Sequence, residues 1–147
     1  MRARFVGLGV LVGAMAFISV GARASMGKAT EDEGFKRLSV DEVHAMVKAK
    51  SATIYDNNGR ERYEKGHVPT ARWLAVADIK PTDLPSDKEK PVVFYCGNEQ
   101  CGACHQGAKA ALTNGYKKVY IMPAGIAGWE KAGKPTEKGE GVAPRVD

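Results

Sequence analysis

The spacing of apolar positions divides the chain into segments of different period. An almost unbroken apolar run fills residues 5–20, with Arg2 and Arg4 before it and Ala22-Arg23-Ala24 after it. A positive start, an apolar middle and a small-x-small close form the pattern of a secretory signal, so residues 1–24 are expected to be cleaved on export. The run of about 16 residues is also shorter than the roughly 20 a transmembrane helix needs. Residues 25–34 are small, polar and charged, and read as a flexible spacer.

From Ser39 the period becomes helical. Ser39 and Glu42 are placed for a capping box, with Leu38 and Val43 at the two staple positions. Val40, Val43 and Val47 then repeat at helical spacing to about Lys50. Thr53-Ile54-Tyr55 is a short β-type run closed by the turn cluster Asp56-Asn57-Asn58-Gly59. A helical turn is expected over residues 60–65 and a short strand over 72–76, followed by a polar loop bracketed by Pro81, Pro85 and Pro91. Residues 91–95 form a continuous apolar run suited to the middle of a parallel sheet. A small-residue helix is predicted over 103–113, stopped by Asn114-Gly115, then a strand over 118–122 and a short helix over 125–131 carrying Trp129. From Glu137 glycine, proline and charge dominate, so residues 137–147 read as a disordered tail. Strands alternating with helices predict an α/β layered domain over residues 35–136 with a mainly parallel sheet.

Charge changes little in this picture. The 147 residues hold 22 basic and 17 acidic side chains. Removing Arg2, Arg4 and Arg23 with the signal leaves 19 against 17, close to balance. No Lys/Arg block with interleaved aromatics is present, which argues against nucleic-acid binding, and nothing in the cleaved chain calls for a membrane.

The cysteines change it more. Cys96, Cys101 and Cys104 cluster within nine positions, an odd set that cannot be a simple disulfide framework in an oxidising compartment. Cys96 is the first residue after the 91–95 strand, and a helix starts shortly beyond it. In open α/β sheets functional groups gather past the carboxyl ends of strands. The loop Gly97, Asn98, Glu99, Gln100, Cys101 and Gly102 is expected to curl its amides and the helix start around the sulfur, favouring thiolate and holding an anion. Such a thiolate attacks sulfane sulfur and carries it as a persulfide. On the residues alone an inert core cysteine remains the alternative.

Tyr55-Asp56, Tyr63, Gly66-His67-Val68-Pro69-Thr70-Ala71 and Val92-Val93-Phe94-Tyr95-Cys96 together resemble the rhodanese pattern. Gly115-Tyr116, Val119-Tyr120, Ala124-Gly125-Ile126, Trp129, Gly133 and Pro135 fit its closing segment. The resemblance spans roughly residues 35–136. It implies a rhodanese-like α/β fold, with a mainly parallel central sheet flanked by helices on both faces. It also implies a sulfurtransferase activity through Cys96, a binding loop at 97–102, and structural support from Asp56 and His67. The partners implied are a small sulfur donor and a thiol acceptor, with no cofactor. The chain resembles exported relatives with a C-x-x-x-x-C loop, in which Cys101 would resolve a persulfide or disulfide on Cys96. Two positions depart from the family: Cys101 and Asn58 stand where arginines are common, and no cation lies between Cys96 and Lys109. Thiosulfate is a dianion, so its binding would fall to loop amides.

Three other readings use the same residues. Cys101, Cys104 and His105 complete a C-x-x-C-H string, the attachment signal of covalently bound haem c, with Met122 as a conceivable second axial ligand. Cys101-Gly-Ala-Cys104 also resembles a thioredoxin-type redox motif, although too little chain follows it for that fold. The third is a binding module that keeps the fold without turnover. Zinc fits the ligand types, but the crowded spacing suits four convergent bonds poorly. The expected compartment is the periplasm.

Overall fold

The computed structural model describes residues 34–140; the signal-type segment, nearly all of the spacer and residues 141–147 lie outside the described residues. Five strands and four helices follow in the order β1 (Lys36–Arg37), α1 (Val40–Ala49), β2 (Thr53–Asp56), α2 (Arg60–Lys65), β3 (Arg72–Trp73), β4 (Val92–Tyr95), α3 (Ala103–Thr113), β5 (Val119–Met122) and α4 (Gly125–Lys131). Two 3-10 turns, Val76–Asp78 and Pro81–Asp83, occupy the stretch between β3 and β4.

The strands form one sheet in the order β1-β5-β4-β2-β3, and each pairing is parallel. β4 lies in the middle, in register with Thr53–Asp56 on one side and Val119–Met122 on the other. The two-residue period of a strand then sorts the core. Val92, Phe94, Val119, Ile121 and Tyr55 point to one face and pack with Cys104, Ala108 and Ala111 of α3. Val93, Tyr95, Met122 and Ile54 point to the other, against Val43 of α1 and Ile126 and Trp129 of α4. Helices cover both faces, and for that reason β4 is apolar throughout rather than alternating.

Local chemistry sets the ends. The Glu42 amide donates to Ser39 Oγ at 3.3 Å, and the Ser39 amide donates to the Glu42 carboxylate at 2.7 Å, so the capping box forms as the sequence predicts. α4 is fixed by Trp129, which is fully buried and donates its indole N–H to the Pro135 carbonyl at 2.7 Å.

Three details differ from expectation. β1 carries no apolar signature, because both its residues are exposed and it exists only through pairing with Tyr120 and Ile121. The strand expected over 72–76 ends at Trp73: the Leu74 amide makes a last bond to the Asp56 carbonyl at 2.9 Å, and the chain then turns into a 3-10 turn. The segment expected to be disordered from 137 begins with fixed backbone. Glu137 exchanges both amide–carbonyl bonds with His67 at 2.9 Å, and the Gly139 amide donates to the Glu64 carbonyl at 2.9 Å.

Candidate active site

Cys96 follows the last residue of β4, and its place in the strand period aims its side chain at the α3 face. Its backbone is held from the other face. The Ile126 amide donates to the Cys96 carbonyl at 2.9 Å and the Ala127 amide to the Gly97 carbonyl at 3.0 Å, so the first turn of α4 clamps the start of the loop.

The environment of the sulfur departs from expectation. Cys96 is fully buried, in one apolar cluster with Phe35, Tyr55, Phe94 and Ala108. The loop does not form a bowl of amides around it. Asn98 takes the Cys101 amide on its carbonyl at 3.0 Å and the Gln100 amide on its Oδ1 at 3.0 Å, which closes the loop on itself. One amide, that of Cys104 in the first turn of α3, bonds the Cys96 sulfur. The Cys96 thiol has two acceptors within reach, the Cys101 carbonyl oxygen at 3.2 Å and the Cys104 sulfur.

The two buried thiols are pulled in opposite directions. Hydrogen bonding with Cys104 together with burial pushes the Cys96 thiol far above the ordinary cysteine range. The Cys104 thiol is drawn down, chiefly because Cys96 donates to it, and the amides of His105 and Cys104 itself add to the effect. Gly102 caps α3 without a side-chain bond, and the first-turn amides of Cys104 and His105 bond the sulfurs instead. His105 Nδ1 lies 3.6 Å from Cys104 Sγ, and its ring packs edge-on against Phe35 at 5.6 Å. The C-x-x-C-H string is thus folded with Cys104 turned into the core. Met122 packs in the cluster on the opposite face of the sheet, away from His105.

Asp56 and His67 are both buried and held by local hydrogen bonds. Asp56 Oδ1 accepts the Asn58 amide and the Asn58 side-chain N–H, both at 2.7 Å, fixing the turn after β2. Burial raises the Asp56 carboxyl above its ordinary range, and hydrogen bonds from Tyr95 and Asn58 offset only part of this. The Tyr95 hydroxyl also accepts the Val68 amide at 3.0 Å. His67 is buried, stacks on Tyr63 with ring centres 3.9 Å apart, and donates from Nδ1 to the Tyr63 carbonyl at 2.9 Å. That acceptor assigns the proton to Nδ1.

Two further residues reach the site from distant sequence. Asn58 Oδ1 stands against Gly97, 3.4 Å from where a side chain there would begin. Lys131, in the last turn of α4, lines a shallow depression with Asn98, Glu99, Gln100, Ala124, Ala127 and Gly128. Cys96 does not line it. The loop has no cation of its own, but docking of α4 supplies one beside it. Nothing local in the sequence marks Lys131.

A central cysteine at the carboxyl end of the middle strand of a parallel sheet, a short loop and a helix start define a rhodanese-like α/β domain. The chain belongs to the rhodanese-like domain family, whose profile matches residues 39–132. It is similar to the thiosulfate sulfurtransferase GlpE of Coxiella burnetii, 33% identical over 103 residues covering 69% of this chain and 92% of that protein. Among solved structures it is similar to SseA from Escherichia coli, described with the rhodanese fold of 3-mercaptopyruvate sulfotransferases. That match has a TM-score of 0.64 and 18% identity, over 75% of this chain and 53% of that one. The human single-domain sulfurtransferase TSTD1 matches with a TM-score of 0.55 and 19% identity, over 65% of this chain and 95% of that one. At these identities the structural likeness is one of fold.

Proposed function

We propose that this protein is a rhodanese-type sulfurtransferase that moves sulfane sulfur from a small anionic donor to a thiol acceptor as a persulfide on Cys96. The observation that carries the reading is the position of the Cys96 sulfur: past the end of β4, bonded by the Cys104 amide at the start of α3. The similarity to the thiosulfate sulfurtransferase GlpE supports the same class. With the loop open, Cys96 loses its proton to solvent and its thiolate attacks the donor's sulfane sulfur, the donor's remaining group departs with the bonding electron pair, and the persulfide is then attacked by the acceptor thiolate.

Burial sets a condition on that cycle. The closed loop covers the sulfur, so residues 97–102 have to swing outward before a donor reaches it. The loop contacts that break are the Cys101 carbonyl–thiol bond and the Ala127 amide bond to the Gly97 carbonyl. No cofactor enters the reaction. We place the protein in the periplasm, following the signal-type pattern of residues 1–24.

Turnover with thiosulfate as donor and cyanide or a small thiol as acceptor tests the reading. Cys96→Ser is expected to abolish it while leaving the fold intact, because serine is nearly isosteric and lacks the sulfur nucleophile. Full turnover in that variant refutes the mechanism.

A further inference from the structure

The cysteine that the loop spacing singles out as helper is Cys101, and the structure places a second thiol, that of Cys104, against Cys96 as well. Cys104 and Cys96 are hydrogen-bonded sulfur to sulfur, and both approach the same Cys101 carbonyl oxygen, at 3.9 and 3.2 Å. Cys101 also contacts the Cys96 sulfur through its own thiol, yet it sits in the loop, half-buried, ahead of the helix. Cys104 is in the first turn of α3, buried, with His105 Nδ1 beside its sulfur at 3.6 Å. Helix-start amides and an adjacent imidazole are the surroundings that make a thiol nucleophilic. When residues 97–102 open, Cys101 moves with them, whereas Cys104 stays with α3, which packs on β4 and β5.

We propose that Cys104 is the resolving thiol of this site: it attacks the Cys96-bound sulfur of the persulfide, expels hydrosulfide and closes a Cys96–Cys104 disulfide. The inference rests on the persulfide reading and extends it by a second catalytic residue. Cys104 Sγ forms a bond to Cys96 Sγ, and the bond from Cys96 Sγ to the outer sulfur breaks, its electron pair leaving with that sulfur. The proton lost by Cys104 ends on the departing sulfur as hydrosulfide, with His105 placed to relay it. The outer sulfur is reduced to sulfide, and the cysteine pair is oxidised by the two electrons it gives up. A small dithiol then reduces the disulfide by two successive exchanges and restores both thiols. The net reaction takes sulfane sulfur and a dithiol to hydrosulfide and a cyclic disulfide. The acceptor class is thereby a dithiol reductant, and a monothiol serves less well.

The experiment is a single turnover on the full chain: thiosulfate is added without external thiol, free sulfide is measured, and peptides carrying the cysteines are identified by mass. The wild type is expected to release sulfide and to acquire a Cys96–Cys104 disulfide. Cys104→Ser and Cys104→Ala are each expected to release sulfide at least about tenfold more slowly while Cys96 keeps the extra sulfur atom. The retained sulfur shows that the variant is folded and loads normally. In Cys101→Ser the disulfide formed is still expected to join Cys96 to Cys104, whatever the change in rate. Wild-type release from both Cys104 variants, or a disulfide joining Cys96 to Cys101, overturns the assignment and leaves the persulfide reading standing. If Cys96 takes up no sulfur in any form of the protein, the persulfide reading fails and the resolving step falls with it.

Discussion

Gly125 joins the fold to the site more tightly than any titratable group, and replacing it by alanine probes that joint. Its φ is +60°, in the left-handed region, where a residue with a Cβ is strained by about 1–2 kcal/mol. A Cβ there would also lie 2.5 Å from the Cys96 carbonyl oxygen and 2.6 Å from the Gly97 carbonyl carbon and oxygen. These are backbone atoms and cannot rotate away. Restoring ordinary contact at 3.4 Å requires α4 and the loop to part by 3.4 − 2.5, or 0.9 Å. The bonds from Ile126 and Ala127, at 2.9 and 3.0 Å, would then stretch beyond hydrogen-bonding range. Each is worth about 1 kcal/mol, so the total loss is about 3–4 kcal/mol. For a domain near this size that lowers Tm by on the order of 15 °C. Gly133→Ala is the matched control. Its φ is +66°, but nothing lies within 4 Å of its added Cβ, so only the strain of about 1–2 kcal/mol applies. Urea and thermal unfolding of both variants read the difference. Equal losses in the two, or a smaller loss at Gly125, would show that α4 does not clamp the Cys96 carbonyl, and the described architecture of the site would be wrong.

Two other outcomes follow from the electrostatics. Because the Asp56 carboxyl is raised above 3.8 in the folded protein, the native state binds a proton more readily than the unfolded chain. Its contribution to stability is complete below the ordinary carboxylate range and is lost as pH rises through the raised value. The stability of the wild type relative to Asp56→Asn, measured by urea unfolding from about pH 4 to about pH 7, is expected to fall as pH rises; an increase would contradict the burial argument. For Lys131→Gln, the KM for an anionic sulfur donor is expected to rise about threefold at low salt, with kcat retained and the effect fading as salt screens the charge. An unchanged KM at low ionic strength would mean that donors enter by another side of the loop.

Most of the fold was legible because its signals are local or periodic. The Ser39–Glu42 capping box, the apolar 92–95 run and the small-residue helix over Ala103–Thr113 each announce an element without reference to its neighbours. β1 was not legible for the opposite reason. Lys36 and Arg37 are polar, exposed and two residues long, and only the free edge of β5 makes them a strand. The same holds for Glu137, a charged residue in a glycine-rich stretch that is fixed by the backbone of His67, seventy positions earlier in the chain. Pairing partners of this kind leave no trace in the segment that is paired.

The site divides along the same line, and its hidden half alters the chemistry. That a cysteine follows the central strand could be read from residues 92–96, because strand period and strand end are sequence properties. The opposite pull on the Cys96 and Cys104 thiols could not. It depends on where the loop sends its amides, and Asn98 takes two of them for itself, through its carbonyl and its side chain. A cysteine deprived of those donors is pushed up by its hydrogen bond with Cys104 and by burial among Phe35, Phe94 and Ala108. Eight residues on, Cys104 lies in the same apolar cluster but differs in standing at a helix start, with an imidazole at 3.6 Å. A persulfide on Cys96 would meet that thiol as its nearest sulfur neighbour on the rigid side of the site. On the proposed cycle the three clustered cysteines would draw separate tasks from their supports: strand end for the carrier, the 97–102 loop for Cys101, and helix start for the thiol that discharges the carrier.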